Sequence, residues 1–467
     1  MQYCKKFNVK LSSSKTKLLM IPPPRQTSFV LYNPININGE PISLVDQAEY
    51  IGVVRSAEGN MPNILIRVSA FKRVLGSIIS CGMAKGSRSN PAASLRILSC
   101  HGTPVLMSGL GSLVLSAKEV AAVDKQYKKT LQNILKLPPT SSAALIYLTA
   151  GSLPGTAIVH LRQLSLFDMI CRLTEDPLNQ HAHQVFQNTT KYQHSWFIQI
   201  RNLLQQYKLP HPLYFLTTTL SKETCKKLIK SKVVDFWPEK LWSEASLLPS
   251  LRLFLTEYFS FCQPHRIWTS AGHKPYEVSK ARIQLLFLSN QYPCGARLRH
   301  CSNENPLGMC SYPSCRTLNI VETPEYLLLE GPAFSFVRER LVSLCLRQQN
   351  LVSHQIISTY LFLHQTSKLL ALILDCSTVP EVIIKAQSFG NNIYDDLFYL
   401  GRTWCFSIHR ERLKLLGHWN ILVSNDPLQV KYHLKTCKKL KRNDVEGGEV
   451  KFILYNWLHY KKGWGQE

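Results

Sequence analysis

At 467 residues the chain is long enough for roughly two to four domains, and with 45% hydrophobic residues it can bury real cores, which excludes a disordered polypeptide. Fifty-five Lys and Arg against 30 Asp and Glu leave a net charge of +25, spread along the whole length. That balance favours a polyanionic partner, nucleic acid before an anionic membrane. No run of about eighteen uncharged apolar residues occurs, Leu369–Leu374 being the best and far too short, so no membrane partner is expected.

The N-terminal MQYCKKFNVKLSSSK has a basic start without an apolar core, so no signal peptide is expected and the chain is placed inside the cell, in nucleus or cytoplasm. Fourteen cysteines without regular spacing then read as thiols in a reducing compartment. The chain also enters directly into a patterned segment, as if an N-terminal partner were missing.

Residues 1–57 predict a small antiparallel β unit. KTKLLMI at 15–21 reads as a strand, Asn38-Gly39 as a hairpin turn, and Tyr50-Ile51-Gly52-Val53 as the next strand. From Pro62 the period changes: Ile64, Val68, Phe71, Leu75 and Ile78 fall on one face of a helix. Helical patterning continues over Ser94–His101, Ala117–Leu137, Ser142–Ala150, Val159–Leu173 and Ser195–Tyr207, making residues 58–240 predominantly α. Residues 241–275, rich in Pro and aromatics, read as a linker. Helices are then expected over Tyr276–Leu288, Phe336–Leu346, Leu351–Cys376 and Ile393–Leu416, followed from 421 by a basic tail carrying KTCKKLKR. The fold class expected is mainly α with a small N-terminal β unit, α+β overall.

Within 276–345, Cys310 and Cys315 stand as C-x4-C on a turn made by Tyr312-Pro313-Ser314. Two thiolates there begin a tetrahedral metal knuckle, and the alternative is two ordinary buried thiols. The remaining ligands of a short knuckle would follow as His-x4-Cys, and the positions with that spacing are Tyr326 and Gly331, neither of which ligates zinc as His or Cys does. Other constellations are weaker. Ser108-Gly109-Leu110-Gly111 lacks the frame of a phosphate loop and reads as a turn. His181 and His183 diverge, and His211 and His265, beside Pro and aromatics, read as packing histidines.

An ordered series of motifs runs through the chain: N-V-x-L-S-x-x-K-T-K at Asn8–Lys17, A-E-Y-I-G-V at Ala48–Val53, R-V-S-A-F at Arg67–Phe71, G-M-A-K-G at Gly82–Gly86 and N-P-A-A-S at Asn90–Ser94. It continues with P-V-L-M-S-G-L at Pro104–Leu110, L-P-H-P-L at Leu209–Leu213, P-H-R-I-W at Pro264–Trp268, S-N-E-N-P-L-G-M-C at Ser302–Cys310 and R-T-W-C-F-S-I-H-R-E-R at Arg402–Arg412. The series resembles the reverse transcriptases of non-LTR (LINE-type) retrotransposons over roughly residues 1–415. The resemblance implies that residues 1–57 are the end of a polymerase palm with a primer-grip-like strand at Tyr50, Ile51, Gly52 and Val53. It implies a helical thumb over 58–240, a degenerate CCHC knuckle in 276–345, and C-terminal helices over 346–420. It places Tyr326 and Gly331 where the family has His and Cys, so two thiolates remain and no zinc is expected.

Intact members copy RNA into DNA with two divalent ions, magnesium in the cell, held about 3.5–4 Å apart by carboxylates from an early strand and a Y-x-D-D hairpin. Both should precede Asn8, so no polymerase activity, no catalytic residue and no cofactor is expected of this chain. Tyr394-Asp395-Asp396-Leu397 imitates the tetrad but reads as a helix start. Nucleic-acid binding survives best. Lys15, Lys17, Lys72, Arg73, Lys85, Arg88 and Arg96 recur through the palm-end and thumb-like region, in numbers suited to a phosphate backbone of RNA or nicked DNA. The function expected is thus a truncated, non-catalytic polymerase remnant that binds nucleic acid without sequence preference. The alternative is a helical scaffold with no nucleic-acid role.

Overall fold

The computed structural model describes residues 12, 15–20, 35–37, 40–80, 89–173, 176–188, 195–218, 220–254, 263–299, 307–310, 312, 315, 319–346, 351–362, 365–390 and 392–415. The architecture is mainly helical, with a few short strands near the N-terminus. Lys17–Leu18 pairs with Ser43–Leu44 in parallel, whereas an all-antiparallel unit was expected. Asn36–Ile37 pairs antiparallel with Glu40–Pro41, in the register a two-residue loop at Asn38-Gly39 imposes, although those two residues lie outside the described set. Gln47–Tyr50 pairs with Val53–Ser56. The expected strand over Tyr50–Val53 is therefore a hairpin turn: Ile51 and Gly52 take φ of 49° and 72°, as a type I′ turn requires of its two central residues. A β-branched residue is strained in that conformation, which is why local propensity favours a strand at Ile51 and does not display the turn.

The described residues fall into two compact units, one drawn from Met1–Lys85, Ala93–Ile134 and Gly151–Leu241, the other from Gly86–Ala92, Leu135–Ala150 and Trp242–Glu467. In the first, the Met61–Ser80 helix buries Ile64 and Phe71, as its apolar spacing predicts, and Asn63 Oδ1 accepts from the Val54 amide (3.1 Å), joining helix to hairpin. Helices Gly155–Cys171, Pro177–Gln187, Trp196–Gln206 and Pro212–Thr217 pack with the start of Lys222–Ser246 around a core of Leu164, Phe167, Val185, Phe197, Ile229 and Val233. Inside this core the Tyr207 hydroxyl donates to His160 Nδ1 (2.7 Å) and accepts from Trp237 Nε1 (2.9 Å). Burial lowers the His160 imidazole to a pKa of about 4, so it is neutral at pH 7.

In the second unit three helices cross closely: Pro275–Leu288, Thr366–Asp375 and Asn392–Leu415. Gly401 sits at the crossing, where a Cβ would run into the Ile373 carbonyl, and Gln284 Nε2 donates to that same carbonyl (2.7 Å). Glu277 receives Lys280 and Arg402, each at 2.8 Å; burial alone would raise its carboxyl, and these two cations hold it below the ordinary range. His265 caps a short helix through Nδ1 and meets Asp375 Oδ2 through Nε2 (3.0 Å), the satisfied packing role its neighbours suggested. With Ile267 and Trp268 it is buried, inside the stretch that composition marks as a linker. The helix expected over Leu351–Cys376 is two, Leu351–Phe362 and Thr366–Asp375, because Gln365 takes a non-helical ψ of 74° and its amide bonds back to the Tyr360 carbonyl (3.2 Å).

The C-terminal end of Asn392–Leu415 carries a buried ion pair. Arg412 donates to Glu322 through Nε (3.2 Å) and Nη2 (2.9 Å), both side chains being 3% exposed, and Glu322 also accepts from the Gly295 amide (2.6 Å). Next to it the Tyr292 hydroxyl donates to His409 Nδ1 (2.9 Å), whose imidazole is held down at a pKa of about 3, by burial first and then by Arg412 and Arg282.

Arg412→Met strands a buried carboxylate and is expected to cost about 3–5 kcal/mol in urea denaturation, part of it recovered by adding Glu322→Gln; a loss below about 1 kcal/mol would show the pair to be dispensable. His160 and His409 are neutral when folded and titrate near 6.5 when unfolded, so the unfolded chain binds protons first as pH falls. Stability is full above about pH 6.5 and declines toward pH 4, with His160 contributing up to about 3 kcal/mol. Denaturation midpoints at pH 7.5 and pH 5 check this, and His160→Gln should flatten the difference.

Candidate nucleic-acid interface and knuckle

Lys15, Lys17, Lys72, Arg73 and Arg96 are all exposed, and none of them has an ion-pair partner among the described residues. Lys72 and Arg73 lie on the outer side of the Met61–Ser80 helix, opposite buried Ile64 and Phe71, and Arg96 ends the Pro91–Ile97 helix. Lys85 and Arg88 lie outside the described residues. The primer-grip-like residues stand at the hairpin tip, Tyr50 and Ile51 being 73% and 83% exposed.

Several carboxylates of this unit face inward. Glu119 forms a capping box with Ser116: its Oε2 accepts from the Ser116 amide (2.7 Å), and Ser116 Oγ accepts from the Glu119 amide (3.3 Å). Its other oxygen accepts from the Asn60 amide (3.1 Å). Asp124 accepts from the Thr156 amide (3.2 Å), Asp168 from Arg172 (3.0 Å), and Asp176 from the Leu178 amide (2.8 Å). On the same Ala117–Leu135 helix Lys118, Lys125 and Lys129 point outward, at i, i+7 and i+11. These four carboxylates are thus engaged by backbone amides or Arg172, while the three lysines stay in water; Glu40, Asp46, Glu49, Glu58, Glu223, Asp235 and Glu239 of the same unit are exposed as well. Those three lysines escaped the sequence reading, although S-x-x-E at 116–119 marks the helix start and their spacing marks one face.

The knuckle positions, spread over 22 residues of sequence, come together. Met309 bridges Val321 antiparallel, Cys310 N donates to Ile320 O (2.9 Å), and Glu322 N donates to Gly308 O (2.9 Å). Cys315 N donates to Tyr312 O (2.9 Å), turning its thiol toward Cys310, and both cysteines are buried. Burial pushes the Cys310 thiol up to about 12, so it is protonated and unreactive at neutral pH. Tyr326 opens a π-helical turn that ends at Gly331, whose amide donates to the Tyr326 carbonyl (2.7 Å). The Tyr326 hydroxyl, itself buried, lies beside the Cys315 thiol and has no hydrogen-bond partner of good geometry among the described residues. A Cβ on Gly331 would lie 3.3 Å from Tyr326 Cε1 and from Phe334 Cδ2. Two thiols, a phenol and a glycine do not fit tetrahedral zinc, and no group of three His, Cys, Asp or Glu among the described residues is arranged to hold a metal ion.

Tyr394, Asp395 and Asp396 lie in the first turns of the Asn392–Leu415 helix, with the Tyr394 ring under the Arg266 guanidinium at 4.1 Å, so the tetrad is a helix start and not a strand hairpin. Gly109 takes a left-handed φ of 74° ahead of a 3-10 turn, as a plain turn does. His181 and His183 diverge on the Pro177–Gln187 helix. His211, expected to pack, is instead an exposed helix cap whose Nδ1 accepts from the Leu213 amide (3.4 Å). No single helix among the described residues is long and apolar enough to cross a membrane. Compared with protein-family models, with curated proteins and with solved structures, the chain matches none.

Supplying His and Cys at positions 326 and 331 tests whether the four positions can form one metal site. Tyr326→His with Gly331→Cys is expected to bind one zinc per chain, measured by metal release to a chromogenic chelator, whereas Gly331→Cys alone is crowded by the Tyr326 ring and should lower stability. A folded double variant that stays metal-free would show that these four positions do not form one site.

Proposed function

We propose that the chain binds nucleic acid through its phosphate backbone, as a region similar to the thumb and knuckle of LINE-type reverse transcriptases. The observation that carries the binding is the number of exposed cations without ion-pair partners among the described residues of the first unit. Glu119, Asp124, Asp168 and Asp176 are engaged by backbone amides or Arg172, while Lys72, Arg73, Arg96, Lys118, Lys125 and Lys129 stand exposed. Ammonium and guanidinium groups left in water displace condensed counterions from a polyanion, which gives an affinity that depends on salt and not on sequence. The likeness to the retrotransposon knuckle is supported by the one non-local meeting among the knuckle positions, that of the Cys315 thiol with the Tyr326 side chain, beside the local pairs Cys310–Cys315 and Tyr326–Gly331. The reading assigns binding, not catalysis, to these residues, and the Tyr394-Asp395-Asp396 tetrad on a helix supports that division.

Fluorescence anisotropy with two single-stranded RNAs of unrelated sequence, at rising KCl, tests the reading. Equal affinities for both RNAs are expected, with log Kd against log salt rising at a slope of about 3 or more, the value for four or more neutralised phosphates on a single strand. Absence of binding at 50 mM KCl, or binding indifferent to salt, would overturn it and favour a scaffold that engages protein.

A further inference from the structure

The Lys222–Ser246 helix opens with KETCKKLIK, a lysine cluster that the motif series does not include. Its inward ridge is Cys225, Ile229, Val233 and Trp237, all in the core of the first unit. The ridge one residue on is Lys222, Lys226 and Lys230, spaced at i, i+4 and i+8 and exposed at each position. In an α-helix that spacing aligns side chains along a single line with a rise of about 6 Å per step. Lys227 stands exposed beside it. None of the four has an ion-pair partner among the described residues, and Glu223 is the one acidic residue in the helix before Asp235. Because the inward ridge locks the helix onto a packed core, the lysine stems start from a rigid line, and ordering them on a ligand costs side-chain entropy alone.

We propose that the Lys222–Lys226–Lys230 ridge is the track along which one strand of nucleic acid lays its phosphates; this rests on the nucleic-acid reading above and assigns it a surface. A line of charges one residue wide matches a polymer of regularly spaced anions. An anionic bilayer is the poorer match, because a helix that lies on a membrane needs an apolar face to insert, and here that face is buried in the protein. Binding is by point charges without base contacts, so RNA and DNA single strands are both accommodated.

The full chain carrying K222E/K226E/K230E, shown to be folded by circular dichroism, is titrated with a 20-nucleotide single-stranded RNA beside wild type and beside K274E/R299E/R340E. The latter variant makes the same change in net charge at exposed positions of the second unit. The ridge variant should bind about tenfold more weakly or worse at 100 mM KCl, with the salt slope reduced by about 2, since each lost phosphate contact removes about 0.7. The charge-matched control should stay within threefold of wild type. A ridge variant within twofold of wild type and with unchanged slope overturns the track while leaving nucleic-acid binding intact, and so does an equal loss in the control. Failure of the wild-type chain to bind RNA at all overturns the underlying reading instead. Loss of binding to vesicles of 30% phosphatidylserine, with RNA binding unaffected, would reassign the ridge to a membrane and overturn the proposal.

Discussion

The second unit depends on one buried ion pair. Arg412 sits near the end of a 24-residue helix, and Glu322 sits 90 residues earlier on a short extended segment with little hydrophobic surface of its own. The bidentate geometry and the added bond from the Gly295 amide satisfy the carboxylate fully, which is the condition under which burying two charges is tolerable. The consequences are positional. The segment that carries Glu322 continues into Tyr326–Glu330, Leu328 O accepts from Trp404 on the same long helix (3.1 Å), and Tyr312 reaches the Arg412 carbonyl (3.4 Å). The segment that carries Cys310 and Cys315 is therefore positioned by protein contacts from the long helix.

The same contacts fix the shape of the turn around Cys310 and Cys315. A working tetrahedral site would supply its own folding energy through four bonds to the ion. Here Tyr326 contributes a large ring packed among Cys315, Phe334 and the Gly331 backbone, and Gly331 leaves the room that ring needs. Tyrosine and glycine are complementary in volume at this locus. The Tyr326 hydroxyl lies beside the Cys315 thiol and makes no hydrogen bond of good geometry among the described residues.

In the first unit the governing feature is where charge ends up. Glu119, Asp124 and Asp176 serve as caps or amide acceptors, while the lysines, which cannot accept a hydrogen bond, remain outside. The Ala117–Leu135 and Lys222–Ser246 helices each turn an apolar ridge inward and lysines outward, the second with Glu223, Asp235, Glu239 and Glu244 exposed as well.

Local signals determined much of this protein. The 3.6-residue periodicity placed Ile64 and Phe71 on a buried face, Asn36–Ile37 pairs with Glu40–Pro41 in the register that a two-residue hairpin predicts, and the acidic start of Asn392–Leu415 marked a helix where a motif search would have seen a catalytic hairpin. Those features depend on neighbours within a few residues, which the sequence displays directly. What only the tertiary structure decided involves partners far apart in the chain: that Ile51 turns a hairpin, that Arg412 finds Glu322, that Tyr326 reaches Cys315, and that Glu119 turns inward to Asn60. Each is a choice between burial and exposure for a polar or β-branched residue. It is settled by the free energy of a long-range contact, which local spacing does not encode.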